Sequence, residues 1–98
     1  MLGQRINELR RSFGWNQVEL AKYLHISKQT VSNWENENIQ PSIEMLIRLS
    51  KVFNVPTDYL LGLDGVPTLN VDGIPLEMVA HLSQLIEDYR KVTKQSQP

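Results

Sequence analysis

The sequence predicts an all-α fold in which five short helices form one domain and a sixth, longer helix follows a linker. Apolar residues recur at three- and four-residue spacing, polar capping residues precede these runs, and glycine or proline closes them. The chain of 98 residues is long enough for one small domain with an appendage but not for two independent cores. We therefore expect a domain over residues 1–62, a linker over 63–74, a helix over 75–94 and a flexible tail over 95–98.

The first two helices follow from their apolar stripes and their ends. The first is predicted over residues 2–13, where apolar side chains recur at helical spacing until Gly14 ends the run. Asn16 is placed to cap a second helix over residues 17–25, and Glu19 completes a capping box. The polar face of the first helix carries three arginines, which we expect to be solvated: Arg5, Arg10 and Arg11.

The third helix is predicted over residues 28–35, directly after the capping residue Ser27. Only a few residues separate it from the second helix, and so short a connection forces a sharp crossing rather than an antiparallel hairpin. A polar loop then leads to Pro41 and Ser42, which open a fourth helix.

The fifth helix is expected to be short, with Thr57 as its cap and Gly62 as its end. Residues 63–75 contain two Asp-Gly pairs and two prolines, which is typical of a linker, although their valine and leucine content leaves a short strand open. From Pro75 onward, apolar residues again alternate by three and four through the sixth helix.

The apolar stripe of the sixth helix is too wide for a coiled-coil seam and must be covered. It could fold back onto its own domain or pair with the same helix of a second copy, and we favour pairing because the linker lets the helix stand apart. The expected interface residues are Met78, Val79, Leu82, Leu85, Ile86 and Tyr89.

The composition narrows the classes of function. The absence of cysteine removes disulfides, thiolate nucleophiles and cysteine zinc sites, while His25 and His81 are far apart and have no carboxylate cluster at metal spacing. No catalytic triad order and no glycine-rich phosphate loop is present, so we expect no enzyme, no cofactor and no metal site. No apolar run or leader-like N-terminus points to a membrane or to export, and a cytoplasmic protein is expected.

Five segments of the chain carry a family resemblance: GQRINELR, NQVELAKYL, ISKQTVSNWE, PSIEMLIRLSKVFNVP and TDYLLG. In this order and spacing, the sequence from Gly3 to Gly62 resembles the helix-turn-helix domains of phage repressors, Cro-like proteins and bacterial XRE-type regulators. The resemblance implies a five-helix lambda-repressor-like domain that binds double-stranded DNA as a sequence-specific transcriptional regulator, most often a repressor. The pattern itself agrees, because Ala21 is small where two helices must touch and three apolar residues can pin the next helix: Ile26, Val31 and Trp34.

The same resemblance makes residues 27–36 the recognition helix, whose N-terminal side chains meet base edges in the major groove. Lysine can donate to guanine, and glutamine and asparagine can pair with adenine. The predicted base contacts are Lys28, Gln29, Ser32 and Asn33. Phosphate contacts are predicted for Asn16, Gln17, Ser27, Thr30 and Asn38. The resemblance implies the contact of Gln17, which stands at a position that binds a phosphate in the family.

Two departures from the family pattern concern backbone geometry and charge. His25 stands where the family usually has glycine, in a left-handed position that histidine tolerates. Glu37 also replaces a common glycine, so the left-handed cap after the third helix is expected at Asn36 or Asn38. Because the formal net charge is −1 and this loop is acidic, we expect modest non-specific affinity, a shallow salt dependence and greater reliance on dimerisation at a palindromic operator.

Two rival functions remain open. The chain could be an antitoxin-like or partner-sequestering regulator whose sixth helix binds a different protein. Alternatively, it could be a structural domain that has lost DNA binding, as the low net charge would allow.

Overall fold

The computed structural model describes residues 2–63 and 65–96, with side chains described up to residue 93 in the last helix. All regular secondary structure among the described residues is helical. These residues contain no strand, so the short strand that the linker sequence allowed is not formed. The all-α prediction is confirmed. The helices are α1 Leu2–Ser12, α2 Gln17–Leu24, α3 Lys28–Glu35, α4 Ile43–Phe53, α5 Thr57–Leu60 and α6 Leu76–Ser96.

The predicted caps of α2 and α3 are formed. The Asn16 side chain accepts a hydrogen bond from the backbone N–H of Glu19, whose own side chain accepts from the Asn16 N–H at 2.9 Å. The Ser27 hydroxyl accepts from the backbone N–H of Thr30 at 3.1 Å. His25 ends α2 in the left-handed conformation, with a φ of 56°, as its position predicted. These caps fix both ends of the turn that leads into α3.

Several helix ends differ from the prediction. α1 ends at Ser12 because Gly14 reverses the chain with a φ of 76°. Thr57 is not a cap: Pro56 holds the extended cap conformation without a side-chain hydrogen bond, so the helix begins one residue earlier and Thr57 is its first residue. α6 extends past residue 94 to Ser96, and the last expected tail residues, 97 and 98, lie outside the described residues.

The core lies where α1, α2 and α3 meet α4 and α5. Helix α1 packs against α3 and α5, and α2 packs against α3 and α4. Three aromatic side chains pack together at one end of the core. Trp15 stacks on Phe53 with ring centroids 6.0 Å apart, and Phe13 contacts the same Phe53 ring edge-on at 5.4 Å. The buried apolar residues of the core are Ile6, Leu20, Ala21, Leu24, Val31, Trp34, Leu49, Phe53, Val55 and Leu60.

Helix α4 buries only some of its apolar residues. Leu49 and Phe53, four residues apart, are buried, whereas Ile43 and Ile47 are exposed at 77% and 46%. The side that carries Leu49 and Phe53 is the one that meets α2 and α5. The two isoleucines therefore belong to the surface of the domain.

The apolar stripe of α6 remains largely open to solvent. Leu85 is 64% exposed and Tyr89 is 73% exposed. Of the other expected interface residues, Met78 and Ile86 are exposed, while Val79 and Leu82 are half-buried. The structure therefore does not show the alternative arrangement, in which α6 would fold back and bury its apolar stripe against its own domain.

Candidate nucleic-acid interface

Helix α3 has one buried face and one open face. Val31 is fully buried and Trp34 is nearly so, and both pack into the core formed with α1 and α2. Trp34 is thus a core residue, as its place on the apolar side of the helix predicted. With these anchors fixed, the remaining side of α3 must point outward.

The predicted base-contacting residues share this outer face. Lys28 and Gln29 are exposed on the first turn, and Ser32 and Asn33 are half-buried one turn later. The Gln29 amide Nε2 donates to Asn33 Oδ1 at 3.1 Å, so these two side chains form a pair along the helix. The Ser32 hydroxyl accepts from the Asn36 amide at 3.3 Å.

Four of the predicted phosphate contacts lie at the starts of α2 and α3, and the fifth, Asn38, lies in the loop after α3. Part of their hydrogen-bonding capacity is already used. Ser27 Oγ lies 2.8 Å from Thr30 Oγ1 in addition to its capping bond. Asn38 donates its backbone N–H to the Asn33 carbonyl at 2.9 Å, which leaves its side chain available. Asn16 uses its side-chain oxygen to cap α2.

Gln17 is turned toward the end of α3. Its amide Nε2 donates to Glu35 Oε1 at 3.1 Å, and the same oxygen accepts from the Asn7 amide at 2.8 Å. Arg10 completes the group with two donors: Nε to Glu35 Oε2 at 2.7 Å and Nη2 to Oε1 at 2.9 Å. One carboxylate thereby joins α1, the start of α2 and the last residue of α3.

The Glu35 carboxylate is stabilised in its charged form. Its side chain is only 4% exposed, and burial alone would raise its pKa, but the hydrogen bonds from Arg10, Asn7 and Gln17 together hold the pKa below its ordinary value. The hydrogen bond to Glu35 correspondingly raises the pKa of Arg10. Both pKa shifts favour the charged forms, so Arg10 and Glu35 form a charged ion pair at neutral pH.

The three arginines of α1 were expected to be solvated. This is wrong for Arg10, which is buried, and only partly right for Arg5, which is half-buried. Arg10 is buried because it lies four residues after Ile6, on the face that α1 turns to α3, and Glu35 supplies its countercharge there. Arg5 is half-buried, with its guanidinium carbon 3.9 Å from the centroid of the Tyr59 ring. Only Arg11 is exposed as predicted. The spacing from Ile6 is the signal that sequence reasoning could have used.

Glu37 itself adopts the left-handed conformation that was expected of Asn36 or Asn38. Its φ is 61°, whereas Asn36 has a φ of −89°. The cause is a contact with α1: Glu37 Oε1 accepts the backbone N–H of Gly3 at 2.8 Å. The acidic side chain that follows α3 therefore satisfies a free backbone donor at the N-terminal, positive end of α1.

Neither a metal-binding cluster nor a membrane-spanning helix is found among the described residues. Within residues 2–63 and 65–96, no cluster of histidine and carboxylate side chains is arranged to hold a metal ion. Among the helices described, none combines the length and the apolar character needed to cross a membrane.

Comparison with known proteins decides the family. A helix-turn-helix family model matches residues 6–60, which include all of α2 to α5 and most of α1. The chain belongs to the helix-turn-helix family. The transcriptional regulator ImmR of Bacillus subtilis is 36% identical over 87 residues, which are 89% of this chain and 68% of ImmR. Repressor protein C2 of Salmonella phage P22 is 34% identical over 61 residues, but this chain covers only 28% of its length.

Solved structures of this helix-turn-helix family agree with the fold. The P22 c2 repressor in complex with a synthetic operator superposes with a TM-score of 0.62 and 34% identity, over 65% of this chain and 97% of that chain. A complex of the SinR and SinI proteins matches with a TM-score of 0.62 and 30% identity, over 98% of this chain and 100% of that chain. The resemblance to phage repressors and XRE-type regulators is thereby confirmed.

Proposed function

We propose that this helix-turn-helix protein is a sequence-specific regulator of transcription that acts as a homodimeric repressor and reads double-stranded DNA with the outer face of α3. The similar P22 c2 protein has been solved on an operator, and similar proteins are named as repressors and transcriptional regulators. These relatives support the class of function, and the residues of α3 support the mechanism.

The observation that carries the proposal is the division of α3 into an anchored face and an open polar face. Val31 and Trp34 hold the helix rigidly in the domain, and Glu35 ties its C-terminal end to α1. The N-terminal turn is left free to enter a major groove. There Lys28 can donate to guanine and Gln29 can pair with adenine, while Ser32 and Asn33 complete the reading face.

Phosphate contacts would orient the domain on the duplex without reading sequence. Asn16 and Gln17 stand at the start of α2, where backbone N–H groups and the helix dipole favour an anion. Ser27 caps the start of α3, Thr30 lies in its first turn and Asn38 follows its C-terminal end. Because Glu35 uses one N–H of Gln17, the second amide N–H is the donor available to a phosphate.

The open stripe of α6 supports pairing with a second copy. A helix of 21 residues with exposed Leu85 and Tyr89 gains stability by burying them against the same residues of another chain. Two-fold pairing would place two α3 helices about one DNA turn apart, roughly 34 Å, and match a palindromic site.

Selection of bound sequences from random duplex DNA by the purified full chain tests the proposal. We expect one enriched motif with two-fold symmetry and half-sites separated by about one helical turn. Recovery of no motif would refute sequence-specific binding, while a single asymmetric half-site would refute the dimeric mode alone.

A second candidate function is regulation through a different protein. It is favoured by the exposed stripe of α6 and by the similarity to a chain solved in a SinR–SinI protein complex. The mass of the purified chain in solution separates the two functions, because a dimer in the absence of other proteins supports the homodimeric repressor and a monomer at micromolar concentration supports the second candidate.

A further inference from the structure

A hydrogen bond joins the side chains of Gln29 and Asn33 on the outer face of α3. The two residues could therefore contact two base pairs independently or one base pair together. They are one helical turn apart, and Gln29 Nε2 donates to Asn33 Oδ1 at 3.1 Å. Gln29 is exposed, whereas Asn33 is half-buried behind it. The outer member of the pair is thus positioned by the inner one.

The hydrogen-bonding inventory of the glutamine amide decides what the pair can read. A primary amide has one carbonyl oxygen and two N–H donors, one on the oxygen side and one pointing away from it. Pairing with adenine uses the oxygen and the N–H beside it, because adenine offers an N6 donor next to an N7 acceptor. That pairing leaves the other N–H, which is the donor that Asn33 can accept.

Guanine requires a different arrangement. Its N7 and O6 are both acceptors, so a glutamine amide would need both N–H donors to satisfy them. The bond to Asn33 already uses one donor, and the Gln29 oxygen would then face guanine O6 unfavourably. The paired state of Gln29 therefore matches adenine and conflicts with guanine.

We infer that Asn33 is a positioning residue that fixes the Gln29 amide to read the adenine of one A·T base pair. This inference rests on the proposed DNA-binding function and assigns the specificity of that same surface. Asn33 acts through Gln29, so both residues govern preference at a single base pair.

The test uses the full chain and a duplex that carries the selected motif, with each of the four base pairs substituted in turn at every position. The variants are Gln29→Ala, Asn33→Ala and the double variant. Asn33→Asp keeps an oxygen that can accept from Gln29, and its added charge lowers affinity for every duplex alike. The readout is the ratio of dissociation constants between duplexes, which a general loss of stability or affinity does not change.

We expect the wild-type chain to prefer A over G at one position by about 10-fold or more. Gln29→Ala should abolish that preference, Asn33→Ala should reduce it at the same position, and the double variant should lose no more than Gln29→Ala. Asn33→Asp should retain it. Gln4→Ala is the matched control, because Gln4 donates to Glu8 at 3.2 Å in a similar exposed pair on α1.

Two results would overturn the inference while leaving the DNA-binding function intact. One is a change of preference at a different base pair in Asn33→Ala, which would make Asn33 an independent reader. The other is a preference for guanine at the Gln29 position. Failure to select any motif would instead overturn the proposed function, and this inference with it.

Discussion

The carboxylate of Glu35, the last residue of α3, receives Nε and Nη2 of Arg10 from the middle of α1 at 2.7 and 2.9 Å. Both side chains are nearly inaccessible to solvent. Since Gln17 at the start of α2 donates to the same carboxylate, a single acid holds the three helices that present the candidate interface. The orientation of α3 thus depends on polar contacts as well as on the apolar core.

Replacing Arg10 by methionine should destabilise the domain strongly. The substitution leaves Glu35 buried without its countercharge, a situation that costs about 3 kcal/mol. Urea unfolding followed by circular dichroism measures the loss. Arg11→Met, at the exposed neighbouring position, is the control and should change the free energy of unfolding by less than about 0.5 kcal/mol. Equal effects of the two substitutions would show that the buried pair contributes nothing specific.

The stability of the domain should fall as acid protonates Glu35. The folded-state pKa of Glu35 lies below its ordinary value of 4.5, so its contribution is present above pH 4.5 and is lost as pH falls through the folded pKa. The free energy of unfolding of the wild type should therefore decrease below about pH 4.5, more steeply than that of Glu35→Gln. Parallel pH profiles for the two proteins would contradict the assigned pKa direction.

Gly3→Ala should be destabilising although alanine is the better helix former. A Cβ at residue 3 would overlap the Trp34 carbonyl oxygen and lie 2.7 Å from Glu37 Oε1. Separating α1 from α3 to relieve this overlap should cost about 1–3 kcal/mol, against a helix-propensity gain of about 1 kcal/mol. Gly65→Ala, whose Cβ would meet open space, is the matched control. A more stable Gly3→Ala protein would show that the close approach is not required.

A charge in the apolar stripe of α6 should dissociate the dimer without unfolding the domain. Leu85→Asp places a carboxylate in the proposed interface, yet Leu85 is exposed within the single chain. Light scattering after size-exclusion chromatography should report a monomer for this variant and a dimer for the wild type. Ala80→Asp, on the opposite side of α6, should remain dimeric. An unchanged mass for Leu85→Asp would remove α6 from the interface.

The local features of the fold were predictable because each depends on neighbours in the chain. Ser27 and Asn16 cap helices through residues three positions away, and His25 adopts a left-handed conformation within its own turn. The inward faces of α2 and α3 followed from spacing in the same way.

The contacts between distant residues were not predictable from these rules. Arg10 and Glu35 are 25 positions apart, and although the spacing from Ile6 places Arg10 on the inner side of α1, nothing local identifies Glu35 as its partner. Glu37 takes a left-handed conformation where the N-terminus of α1 lies beside it, and Ile43 is exposed because only the side of α4 that carries Leu49 and Phe53 meets the other helices. In the candidate interface, the outer residues of α3 were predictable, whereas the bond between Gln29 and Asn33 required side-chain geometry.

The central claim is that the outer face of α3 reads bases, and the most direct test compares specific with non-specific affinity. Dissociation constants of the wild type and of a Gln29→Ala, Asn33→Ala double variant, which keeps the net charge, are measured for the selected motif and for a scrambled duplex at one salt concentration. The double variant should lose about 1–3 kcal/mol of motif affinity for each bidentate contact removed, while its affinity for scrambled DNA stays nearly the same. An equal loss on both duplexes would show that these residues grip the backbone, and would contradict the claim.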